Sequence, residues 1–149
     1  LQDVITYIQS GNVVFSSDET DLQQLSRRIE EGFAQKFGFR VHVIVRTAVE
    51  WQEIIANSPF QSEPAKEPKW LVVLFLVHRP EDATGLEEFQ RTYTGPEELH
   101  LIGQDLHVYY PNSIGQSKLP HTLLEKKLKT NGTARNWNTV LQLQKLMQR

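Results

Sequence analysis

The 149-residue chain predicts an α+β fold, because stretches of two different periodicities follow one another along it. Three observations carry that prediction. The opening "VITYIQSGNVVF" places β-branched and aromatic residues on both sides of Ser10, Gly11 and Asn12, the pattern of a tight hairpin. Leu22, Leu25, Ile29, Phe33 and Phe37 then recur at spacings of three and four, which is helical. "WLVVLFLV", 70–77, is apolar without alternation, as a strand covered on both faces must be.

The remaining elements follow in order. The first helix begins after the acidic residues Asp18, Glu19 and Asp21 and stops at Gly38, where a left-handed closing residue is favoured. "FRVHVIVR", 39–46, alternates with period two and predicts a strand with Val41, Val43 and Val45 on one face. Thr47 and Glu50 have capping-box spacing ahead of Trp51, Ile54 and Ile55, so a short helix runs to about Asn57. Pro59, Pro64 and Pro68 exclude regular structure from 58–69, which reads as a linker between an N-terminal unit, 1–57, and a C-terminal unit, 70–149. Past the apolar strand, Leu86, Phe89 and Tyr93 predict a helix ended by Gly95 and Pro96. "LHLIGQDLHVYYP" predicts two strands turning at Gly103 to Asp105. Leu123, Leu124 and Leu128 line one further helix, and Val140, Leu143, Leu146 and Met147 line the last. The C-terminal order is strand, helix, strand, strand, helix, helix, which resembles a ferredoxin-like split strand-helix-strand unit lacking its last strand. The N-terminal order resembles the same unit without its first strand and helix. Two ferredoxin-like (alpha-beta plait) subdomains, the first incomplete, are therefore expected.

Composition narrows the functional classes. Hydrophobic residues make up 39% and charged ones 23%, and no run approaches the ~18 apolar residues of a membrane span. A cytoplasmic protein with no membrane association is expected. There is no cysteine, which removes disulfides, thiolate nucleophiles and cysteine zinc sites. The five histidines lack HxxxH or HExxH spacing, so no metal site is expected. Charge is unevenly spread. Residues 112–149 carry seven cations and the single anion Glu125, so this segment is +6 while the whole chain is −2. Such a field attracts phosphates, although a solvated face is its commoner meaning.

Four blocks, "TYIQSGNVVFSS" (6–17), "VIVRTAVEW" (43–51), "YYPNSIGQSKL" (109–119) and "GTARNWNTV" (132–140), resemble successive signatures of the uncharacterised bacterial proteins grouped as domain of unknown function 1697. The blocks occur in the family's order and span nearly the whole chain. The resemblance implies a duplicated ferredoxin-like plait and no particular reaction. Family members begin with a further strand and helix bearing an "LLRGINVGG" type segment, and nothing like it precedes Leu1. The sequence is thus read as a fragment whose first sheet has an open edge, an invitation to homo-oligomerisation.

Three polar clusters are candidate sites. "SIGQSKL" offers backbone approach at Gly115, a hydroxyl at Ser117 and a point charge at Lys118, the needs of a phosphate-cradling loop. It lacks the glycine spacing and Gly-Lys-Ser/Thr order of a P-loop, and Ser117 also suits the cap of the helix that Pro120 opens. "GTARNWNTV" offers Arg135 for bidentate bonds to an anion, Asn136 or Asn138 as a helix cap, and Trp137 as a stacking surface or a core plug. "QSGN" offers Ser10, Gly11 and Asn12 in a turn. The leading expectation is binding of a phosphate-bearing ligand or nucleic-acid backbone by the basic C-terminal region. An enzyme acting on a phosphorylated small molecule and a protein-interaction scaffold are the alternatives. No motif names a cofactor, and no "RGFGFV" type run marks an RNA-recognition module.

Overall fold

The computed structural model describes residues 2–7, 11–61, 63, 66–111 and 119–148. A left-handed backbone at Gly11, φ 70°, returns the opening segment on itself. Here β1 (Gln2–Tyr7) and β2 (Asn12–Ser16) pair antiparallel, with Thr6 opposite Val13 and Ile5 opposite Val14. α1 (Leu22–Phe37) starts where the Asp21 carboxylate accepts the Gln24 N–H and ends at Gly38, φ 80°, whose N–H reaches the Ala34 carbonyl. Of its apolar stripe only Leu25 is buried, while Phe33, Phe37 and Phe39 form a ring cluster at its end.

The predicted strand at 39–46 is corrected by the structure. The segment has no ladder, and no neighbour in either sheet pairs with it. Its alternation is real, but pairing depends on an available edge, and the Val43 N–H is taken instead by the Glu30 carboxylate at 2.9 Å. α2 (Ala48–Ala56) follows with the predicted reciprocal bonds between Thr47 and Glu50.

Along 58–69, Lys66 donates to Glu63 and Glu98 at 3.0 and 2.9 Å and sits 4.6 Å from the Tyr109 ring centroid. A 3-10 turn at Pro68–Trp70 then leads into β3 (Leu71–Leu76), all six of whose residues are buried. α3 (Thr84–Thr92), β4 (Glu98–Ile102), β5 (Asp105–Tyr109) and α4 (His121–Leu128) come next, as expected. Pro120 occupies the N-cap of α4 rather than its first turn, and Ser117, assigned above to that cap, lies outside the described residues.

One further strand was not foreseen. Gly132–Asn136 forms β6 and pairs antiparallel with β3, so the last strand expected to be absent is present. α5 (Trp137–Met147) closes the described chain. The larger sheet has the order β4-β5-β3-β6, antiparallel throughout.

Alternation along β3 divides the core in two. Val72, Leu74 and Leu76 join Leu106, Val108, Leu86, Leu124 and Leu128 under α3 and α4. Val73 and Phe75 point the other way, into Trp51 and Ile54 of α2 and Val140 and Leu143 of α5. Trp51 stacks on Phe75 at 4.9 Å, and its indole N–H donates to the Val140 carbonyl at 2.9 Å. Arg46 reaches the same face, 3.3 Å from Asp105, with side chains 9% and 12% exposed. Burial raises the Asp105 pKa, and the Arg46 guanidinium opposes that rise. Among the described residues no helix is long and apolar enough to cross a membrane.

His107, 3% exposed on β5, is depressed to about 4, chiefly by burial and then by His100. Unfolding restores a value near 6.5, so the unfolded chain binds more protons between these limits. The contribution is complete above pH 6.5 and is lost as pH falls toward 4, amounting to roughly 3 kcal/mol over the window. Denaturant midpoints measured across that window are expected to fall with acidification, and the slope is expected to flatten in His107→Gln.

Candidate functional site

β6 runs directly into α5, and this junction explains most of the polar residues between 131 and 140. Asn136 is the helix cap, its side-chain oxygen accepting the Thr139 N–H at 2.9 Å. Trp137, in the first turn, is half-buried and packs against the core between α2 and α5. Asn138 is exposed. The two asparagines proposed for capping thus separate, one bonded into the backbone and one facing solvent.

Arg135 stands on β6 opposite Val73 and so shares the face covered by α5. Its Nε donates to the side-chain oxygen of Asn12 at 2.8 Å, and Nη1 donates to the Ala134 carbonyl at 2.8 Å. Two clusters 123 positions apart therefore meet, the start of β2 and the end of β6. Burial lowers the Arg135 pKa, as desolvation of a cation must. The amide nitrogen of Asn12 is buried and has no hydrogen-bond partner among the described residues. Gly11 is exposed beside it. Ser10, Gly115, Ser117 and Lys118 lie outside the described residues.

A fixed positive charge, an amide donor and the positive end of an eleven-residue helix converge here. Asn12, Arg135, Asn136, Trp137 and Asn138 include no carboxylate or imidazole, so the cluster suits binding better than proton transfer. Among the described residues no group of three His, Cys, Asp or Glu side chains could hold a metal ion.

Among the described residues, the other cations of the C-terminal quarter do not gather at this junction. Lys126 and Lys127 lie on α4 and Lys129 at its end, over the sheet face opposite to that of Arg135, while Lys145 lies on α5. Linear charge counting missed this division, because it cannot distinguish the two faces of one sheet. The buried Arg46–Asp105 pair and His107 were also missed; the sequence marks Asp105 only as a turn residue.

A mixed α+β chain with a four-stranded antiparallel sheet covered on both faces, and a polar junction whose described residues carry no carboxylate or imidazole, defines a fold without naming a reaction. The protein belongs to the family described as protein of unknown function, DUF1697, which matches residues 1–107. No curated protein matches the chain. A solved structure of a conserved bacterial protein from Streptococcus pneumoniae is similar to it, with a TM-score of 0.72 and 19% sequence identity. That similarity covers 99% of this chain and 82% of the other, and at this identity it speaks for the fold alone.

Asn136→Ala is expected to cost about 1 kcal/mol through loss of the α5 cap. Asn138→Ala should stay within about 0.5 kcal/mol of the parent, as exposed substitutions do. Urea denaturation of both variants checks the difference.

Proposed function

We propose that the chain is a binding protein for a small anion bearing phosphate or carboxylate, seated where the β1–β2 turn meets the start of α5. The observation that carries this reading is the pairing of Arg135 with Asn12, whose buried amide nitrogen has no partner among the described residues. A buried donor without a partner is costly, and an anion beside the guanidinium would satisfy it. Arg135 supplies the charge, Asn12 and the exposed Asn138 the hydrogen bonds, and Trp137 one wall. Gly11, exposed beside Asn12, edges it. The division of the other described cations of this region between α4 and α5, on opposite sheet faces, supports a small ligand over a nucleic-acid track.

In the same reading, 70–149 is a ferredoxin-like unit, supported by the order β-α-β-β-α-β and the arrangement β4-β5-β3-β6. Residues 1–57 form a partial second unit, and the protein works in the cytoplasm. Association of copies through the β1–β2 sheet is a second reading, favoured by Val4 and Val13, which are 52% and 51% exposed on a two-stranded sheet. Sedimentation that shows only monomer at micromolar concentration would remove it.

Asn12→Asp separates binding from folding. The aspartate keeps an oxygen for Arg135 and replaces the donor with negative charge. Wild-type protein is expected to bind inorganic phosphate or citrate saturably in calorimetry, Asn12→Asp to retain its thermal midpoint and lose binding, and Arg135→Lys to bind more weakly. Equal binding by all three proteins would refute the assignment.

A further inference from the structure

At the edge of the larger sheet remote from β6, four side chains enclose one ammonium group. Two of them come from the segment ahead of β3, where the Glu63 N–H bonds the Phe60 carbonyl at 3.1 Å and the Lys66 N–H bonds the Glu63 carbonyl at 3.1 Å. Successive bonds three residues apart bring side chains to one side. Phe60, Glu63 and Lys66 therefore project together over β4 and β5. The other two come from the sheet, where Glu98 of β4 and Tyr109 of β5 stand directly opposite each other.

The ammonium belongs to Lys66. Its Nζ lies 3.0 Å from a Glu63 oxygen, 2.9 Å from a Glu98 oxygen, 4.6 Å from the Tyr109 ring centroid and 5.8 Å from that of Phe60. Both rings fall within the ~6 Å over which an aromatic face attracts a cation. Phe60 is fixed in turn, buried with its ring T-shaped to that of His100 at 5.3 Å. The bond to Glu98 leads the causes that raise the Lys66 pKa, followed by the bond to Glu63, so the group stays protonated at neutral pH.

Aromatic faces and carboxylates converging on one point are the recognition elements for an organic ammonium ion. The acids also outnumber the base: with Lys66 in place the cage keeps one formal negative charge, and without it two. Access lies on the carboxylate side. The Lys66 side chain is 14% exposed, whereas those of Glu63 and Glu98 are 43% and 44% exposed. Lys66 reaches in on a flexible four-carbon stem, so its ammonium can leave without movement of the backbone.

We propose that Phe60, Glu63, Glu98 and Tyr109 form a binding site for a primary alkylammonium ion, with Lys66 as its resident competitor. Two N–H groups of the ligand bond the carboxylates, and its charge rests against the two rings. The site involves β4 and β5, whereas Arg135 stands on β6 at the other edge of the sheet, so it is separate from the anion site proposed above.

Lys66→Ala empties the cage. The probe is n-butylammonium chloride, which repeats the lysine stem and its ammonium, titrated into the full chain at constant ionic strength and followed by NMR at the Phe60 and Tyr109 rings. Lys66→Ala is expected to bind it saturably, and wild type to bind at least roughly tenfold more weakly because Lys66 fills the site most of the time. Tetramethylammonium has no N–H to donate. It should bind Lys66→Ala at least roughly tenfold more weakly than n-butylammonium, and Glu98→Gln added to Lys66→Ala should cost a similar factor. Asn12→Asp should change nothing here. In wild-type protein, high n-butylammonium should move the Lys66 side-chain signals toward those of an exposed lysine, an arm that decides the matter even where Lys66→Ala does not fold. The proposal is overturned if folded Lys66→Ala shows no saturation, if it binds no more tightly than wild type, if tetramethylammonium binds equally well, or if the wild-type Lys66 signals stay in place.

Discussion

The larger sheet and the helices on its two faces are organised by the burial of β3 from both sides. Six consecutive apolar residues cannot be covered by one helix layer, because successive side chains point to opposite faces. Leu74 and Leu76 therefore require α3 and α4, whereas Val73 and Phe75 require α2 and α5. The same constraint reaches the neighbouring strand. A Cβ on Gly132 would lie 2.9 Å from the Phe75 carbonyl oxygen and 3.0 Å from the Leu74 side chain, so glycine lets β6 approach at that point.

Covering the second face requires tying a distant part of the chain to the sheet. Trp51 does this by apolar contact with Phe75 and by a directed bond to the Val140 carbonyl. Arg46 adds a charged tie, bonding both Asp105 and the Leu76 carbonyl. Gln104 donates to that same carbonyl and to that of Val77, so the end of β3 gathers side chains from two segments. A buried ion pair of this kind is weak evidence for added stability, since desolvation offsets its attraction. Its clearer effect is on position: Arg46 can settle only where Asp105 and a carbonyl are both within reach.

Much of this is legible in the residues, and the failures have identifiable causes. The capping box at Thr47, the stop at Gly38 and the doubly covered strand are encoded within a few positions, so local physics reveals them. Two features depend on remote partners. The alternating 39–46 segment needs a pairing partner to become a strand, and among the described residues it pairs with neither sheet. β6 is short, polar and fused to a helix cap, which hid it, though an unfinished strand-helix-strand-strand-helix order was a signal that one strand was owed. The candidate site was legible as separate clusters. That Asn12 meets Arg135, and that the lysines of α4 lie over the other face, follows from tertiary packing alone.

The pairing of β3 with β6 also sets the order of events during synthesis. β3 leaves the ribosome long before Gly132–Asn136 is made, and its partner β5 arrives in between. Until then one edge of an apolar strand stays open in the nascent polypeptide, and contacts so distant in sequence close slowly. The interval before the C-terminal strand docks is the period in which a chaperone would matter most to this chain.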